Sequence, residues 1–125
     1  MAHRRVLLIE DSDFLGQHVQ ETLENEHDMS ISIETTAEDA KRALRSGAEF
    51  DCILVNYDLP DATGIEFSDS LSDELPIILF TSKNLQDIAS NALDSGVTAF
   101  IHKSSLEGTM DVPANRIDLV IRSHA

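Results

Sequence analysis

The chain has 125 residues, of which 42% are apolar, enough for one buried core and too apolar for a disordered segment. Its 23 Asp and Glu against 9 Lys and Arg leave a net charge of -14, which repels phosphate backbones and argues against direct nucleic-acid binding. No apolar run reaches the ~18 residues of a membrane span, and the apolar stretch behind "MAHRR" is too short for a signal peptide, so a cytoplasmic protein is expected.

Short apolar runs then alternate with amphipathic stretches. "RVLLIE" (5–10) predicts a buried strand, and Ser12 caps a helix whose Leu15, Val19, Thr22 and Leu23 share one face. "MSISIET" (29–35) alternates as an edge strand does, with Ile31 and Ile33 inward. Thr35 or Thr36 caps the second helix, where Ala40, Ala43 and Leu44 face the core and Gly47 ends the run. "DCILVN" (51–56) is the third strand, and a Thr63-x-x-Glu66 capping box starts a short helix through Leu71. "PIILFT" (76–81) is the fourth strand. The helix after Asn84 turns Leu85, Ile88, Ala89, Ala92 and Leu93 inward and closes at Gly96. "VTAFIHK" (97–103) is the fifth strand, and Asp111-Val112-Pro113 opens a last helix carrying Ile117, Val120 and Ile121.

Strand and helix thus alternate five times, which implies an α/β fold: a doubly wound, five-stranded parallel sheet with helices on both faces and right-handed crossovers. The continuous apolar runs of the first, third and fourth strands suit central positions. One domain over residues 1–125 is expected, with no linker or repeat. The single Cys52 lies in an apolar run and reads as a buried thiol, so no disulfide forms within the chain. Lys41, Lys83 and Lys103 are the only lysines. So few, with so many acids, point to a salt-rich (halophilic) cytoplasm that screens self-repulsion, the plainer reading being an ordinary acidic protein.

In such a sheet, ligands bind beyond the carboxyl ends of the strands. Those ends carry Glu10 and Asp11, then Asn56, then Thr81 and Ser82, then Lys103. Adjacent carboxylates suit a hard cation such as Mg2+, and hydroxyl and ammonium groups suit phosphoryl oxygens. Each residue has a plainer role. Acids after a strand often cap helices, though Ser12 already does so here. Thr81 and Ser82 end a strand, Phe100 fits a core, and Asp58 and Asp61 suit turns with side chains bonded to nearby backbone. His3, His18, His27, His102 and His124 show no metal-ligand spacing.

Taken in order, the acid pair of "LLIEDS", Pro60 and Gly64 four and eight residues beyond Asn56, Thr81-Ser82 and Lys103 resemble the receiver domain of two-component response regulators. The resemblance runs from about residue 5 to the C-terminus and implies the flavodoxin-like, CheY-like strand order 2-1-3-4-5. It implies that Asn56 occupies the place of an aspartate that accepts phosphate from a histidine kinase. The metal set carried over is Glu10, Asp11, Asn56 and Asp58. Thr81, with Ser82 beside it, matches the hydroxyl that closes on the phosphate, Lys103 the ammonium that pairs with it, and Phe100 the aromatic switch. Two residues depart from the pattern. Asn56 is an amide, whose delocalised electrons do not attack phosphorus. Ser104 stands where receivers usually carry proline, so the turn that aims Lys103 is expected to differ.

The leading expectation is a non-enzymatic, receiver-like module that carries no phosphate on the usual residue. It would bind a histidine kinase or another signalling domain through the fourth helix, fifth strand and fifth helix, with a dimer through the last helix left open. Mg2+ binding is expected to be weakened, because one anionic ligand has become neutral. The alternative is a phosphorylatable receiver, with Asn56 introduced in place of Asp or with Asp58 substituting. A flavodoxin-like FMN binder is remote, since "IEDSDFLG" puts acids where a phosphate loop is needed, and no hydrolase triad is visible.

Overall fold

The most apolar runs of the chain occupy the middle of the sheet. The computed structural model describes residues 3–71, 75–91 and 95–124, without the side chains of Ala89 and Asn91. Its elements are β1 (Arg4–Ile9), α1 (Asp13–Glu26), β2 (Met29–Glu34), α2 (Ala37–Arg45), β3 (Cys52–Asn56), α3 (Gly64–Asp69), β4 (Ile77–Thr81), α4 (Leu85–Asn91), β5 (Ala99–His102) and α5 (Asp111–His124). A 3-10 turn, Lys103–Leu106, follows β5. The five strands pair in parallel in the order β2-β1-β3-β4-β5, the flavodoxin-like receiver arrangement expected from the sequence.

Successive residues of a strand point to opposite faces, so each central strand feeds two cores. On one face Val6, Leu8, Leu54 and Phe80 pack with Val19 and Leu23 of α1 and Ile117 and Val120 of α5. On the other, Leu7, Ile9, Ile53, Val55 and Leu79 pack with Ala40 of α2, Phe67 of α3 and Ile88 of α4. The pairing Ile9↔Val55 and Asn56↔Phe80 brings the ends of β1, β3 and β4 side by side.

Local chemistry sets the element ends. Ser12, Thr36 and Thr63 cap α1, α2 and α3, and the Thr63–Glu66 box is complete. Gly47, at φ +92°, turns the chain away from α2, a conformation that an L side chain rarely adopts. Some boundaries differ from those the sequence suggested. Asp51 stays outside β3 because its carboxylate accepts the Arg5 N–H at 2.9 Å. The third helix stops at Asp69, where the Ser70 hydroxyl donates to the Phe67 carbonyl at 2.6 Å. Val97 and Thr98 precede β5, the Thr98 hydroxyl instead accepting the Ile77 N–H at 3.1 Å. Lys103 lies in the 3-10 turn rather than in the strand. Ala92 and Leu93, expected on the inner face of the fourth helix, lie outside the described residues.

Candidate functional site

Burying a carboxylate is costly unless charge and hydrogen bonds compensate, so Glu10 shows what the strand ends are built around. Its side chain is fully buried just past β1. The Asn56 Nδ2 amide donates to Glu10 Oε2 at 2.9 Å, and the Ser12 N–H donates to the same oxygen at 3.3 Å. Glu10 Oε1 receives no hydrogen bond, but Lys103 Nζ stands 3.4 Å away and supplies the compensating charge. Burial nevertheless pushes the Glu10 carboxyl above the usual range, and the Asp11 carboxyl acts in the same direction. Lys103, the Ser12 N–H and Asn56 oppose them.

Asn56 uses both ends of its amide. While Nδ2 serves Glu10, Oδ1 accepts the Asp58 N–H at 3.2 Å. A carboxylate at this position has no proton to give Glu10, so the amide suits its neighbour in a way that aspartate does not. Beside it, the buried Thr81 hydroxyl accepts the Lys83 N–H at 3.0 Å. Asp11 and Ser82 are exposed. The Asp58 carboxylate is 64% exposed and faces Lys83 Nζ at 4.0 Å, while that ammonium also lies 4.8 Å from the centroid of the Tyr57 ring. Lys83 therefore joins the loop after β4 to the loop after β3.

The turn that aims Lys103 is made without proline. His102 Nδ1 accepts the Ser104 N–H at 3.2 Å and caps the start of the 3-10 turn, from which Lys103 reaches Glu10.

The model of the response regulator receiver domain matches residues 6–112. The chain belongs to the response regulator receiver family. This receiver is 30% identical, over 122 residues, to a protein-glutamate methylesterase/protein-glutamine glutaminase of Pseudoalteromonas atlantica, covering 93% of this chain and 31% of that protein. It spans under a third of both curated relatives, the second, from Caldanaerobacter subterraneus, being covered over 28% of its length. Among solved structures, a Francisella response regulator receiver domain superposes with a TM-score of 0.84 at 17% identity, covering 98% of this chain and 99% of that one. A CheY-like receiver domain protein of Methanospirillum hungatei gives 0.83 at 21% identity, with 98% and 97% covered. At such identities these two show the fold.

The receiver's strand ends bring Glu10, Asn56 and Lys103 into direct contact, with Asp11 and Thr81 beside them. Asp58 is adjacent through its backbone N–H only. Glu10 Oε2 accepts two hydrogen bonds, Oε1 accepts none and faces Lys103, and the Asp58 carboxylate faces Lys83. Among the described residues, no group of three or more His, Cys, Asp or Glu is placed to hold a metal. Phe100 is half-buried against the core on the α2, α3 and α4 face. Asp61 does bond backbone, but that of a distant element: it accepts the Ala37 and Glu38 N–H groups at 2.9 and 3.0 Å and completes the cap of α2.

Sequence reasoning missed the Tyr57–Lys83–Asp58 bridge, because contacts between two loops leave no periodic signal. It also passed over Phe14, which is 87% exposed on α1, two residues beyond the Ser12 cap. The available signal was an aromatic residue off the helix's inward face.

Proposed function

We propose that this receiver signals by binding other proteins and carries no phosphate on Asn56. The observation that supports this reading is the amide itself, bonded at one end to Glu10 and at the other to the Asp58 N–H, with no activated nucleophile among its atoms. Lys103 spends its charge on Glu10 rather than waiting for an incoming anion. Mg2+ binding is weakened by the same arrangement, since one carboxylate is neutralised and another has become an amide.

The partner is a histidine kinase or another signalling domain, and α4, β5 and α5 form the contact face. On that face Val112 and Leu119, seven residues apart on α5, are 63% and 49% exposed. A dimer through α5 would use the same two side chains. Residues 1–125 act as one non-enzymatic unit in the cytoplasm, and among the described residues no helix is long and apolar enough to cross a membrane. The net charge of -14 suits a salt-rich interior, so the melting temperature should rise with KCl into the molar range. A flat or falling response would remove the halophile reading.

The deciding experiment is intact mass after incubation with Mg2+ and acetyl phosphate in molar KCl, against Asn56→Asp. No phosphate on the unaltered chain and a labile phosphate on the variant would support a receiver that works through binding alone. A labile phosphate on the unaltered chain would overturn it. Mapping would then begin at Asp58, the exposed carboxylate beside an ammonium.

A further inference from the structure

The sheet order puts β2 at one edge, where a strand's outward N–H and C=O groups are a template for pairing with another chain. Which groups face outward follows from the ladder to β1. The Glu10 N–H donates to the Glu34 carbonyl at 3.0 Å, so Glu34, Ser32 and Ser30 turn their peptide groups toward β1. Ile31 and Ile33, which alternate with them, turn theirs to the outer side.

Ile31 meets a complementary pair there. The Gln20 Nε2 amide donates to the Ile31 carbonyl at 2.9 Å, and the Ile31 N–H donates to Glu24 Oε2 at 3.0 Å. One donor and one acceptor are what a further strand would offer the same residue. Both side chains come from α1, four residues apart and so one above the other on its surface. Each follows a buried core residue, Val19 or Leu23, by one position, on the flank of α1 beside β2. The Ile31 side chain is buried in the same core, which holds strand and helix in register beneath the two bonds. Helix formation does not require these residues, since Ala favours a helix interior at least as well.

We infer that Gln20 and Glu24 form a clasp that closes the β2 edge, and that without it two copies of this chain pair through β2. The occupant is a second copy because an open edge is self-complementary. Two identical strands related by a two-fold axis pair antiparallel, each supplying the donors and acceptors that the other lacks. Ile33, the next residue with outward peptide groups, extends the pairing surface. Asn56 takes no part in the clasp, so the state of that residue does not enter the argument.

The test is amide hydrogen exchange together with sedimentation, in molar KCl so that the net charge of -14 does not keep copies apart. In the unaltered chain the Ile31 amide should be protected as well as that of Ser32, which faces β1. In Gln20→Ala/Glu24→Ala at micromolar concentration, Ile31 exchange should rise about tenfold or more, as expected for the loss of a hydrogen bond to a charged acceptor. Toward millimolar concentration that variant should dimerise, and the Ile31 and Ile33 amides should regain protection. Glu24→Gln removes the same charge but keeps an acceptor, and should behave as the unaltered chain does. Fast Ile31 exchange in the unaltered chain would overturn the inference, and that measurement holds even if the double variant fails to fold. So would a double variant that is no more associated than the unaltered chain at millimolar concentration, or one that dimerises while Ile31 exchange stays fast. Equal dimerisation of Glu24→Gln would do the same, by assigning the effect to charge.

Discussion

Replacing Asn56 by Asp puts a carboxylate where the amide donates to Glu10, and the structure says that this should destabilise the protein in the absence of a cation. The 2.9 Å hydrogen bond from Nδ2 to Glu10 Oε2 is lost. A hydrogen bond to a charged group contributes about 1.5–3 kcal/mol. In its place two carboxylates face each other, which costs about 4 kcal/mol at 4 Å and an effective dielectric of 20. Lys103 offsets part of this by pairing with both acids, and a proton taken up by either carboxyl limits the rest. A net loss of roughly 2–4 kcal/mol is expected at neutral pH, or about 6–15 °C in melting temperature for a chain of this size. The pH dependence has a definite sign. Burial already holds the Glu10 carboxyl above its ordinary 4.5, so the folded state binds more protons than the unfolded one. That contribution favours folding at acid pH and is lost as pH rises through the folded value. A second buried carboxylate enlarges it, so the gap between the two proteins should be widest at neutral pH and narrow toward acid. Mg2+ should close the gap by binding the acid pair in the folded variant. Thermal melts of both proteins in molar KCl, at neutral and acid pH, with and without Mg2+, measure all three effects. A variant that melts at or above the parent at neutral pH without divalent ions would refute the reasoning.

Gly64→Ala should cost about 1–3 kcal/mol, because an added Cβ would lie 2.6 Å from the Asn56 carbonyl oxygen and against Leu79 Cδ1, and the backbone oxygen cannot move aside. Urea melts measure the loss, and unchanged stability would show that α3 shifts freely. Asp61→Ala removes the acceptor for two N–H groups of α2 and should cost about 1 kcal/mol at neutral pH. Those N–H groups hold the Asp61 carboxyl below its ordinary 3.8, so its contribution is present above that value and lost as pH falls through the folded one. The variant and the parent should therefore converge in strongly acid denaturant melts, and a gap that persists there would assign the effect to something other than charge. Cys52 is fully buried and its thiol is pushed up to about 12, so Ellman's reagent should label it only after unfolding. Rapid labelling of the native protein would mean that β3 opens.

The sequence by itself carried the architecture, and for a physical reason. Strands buried on both faces must be apolar throughout, so "VLLI", "CILV" and "IILF" announced the three central strands. Hydroxyls at Ser12, Thr36 and Thr63 announced the starts of their helices, because a cap acts on backbone only two or three residues away. The places of Glu10, Asn56 and Thr81 at strand ends were also legible, since a strand's last residue follows from where its apolar run stops. What the tertiary structure alone decided is which of them meet. That Lys103 turns to Glu10, that the Asn56 amide donates to Glu10, and that Asp58 faces Lys83 are contacts between separate elements. They depend on strand register and on one short turn after β5, and register is set by how whole faces pack rather than by any local pattern.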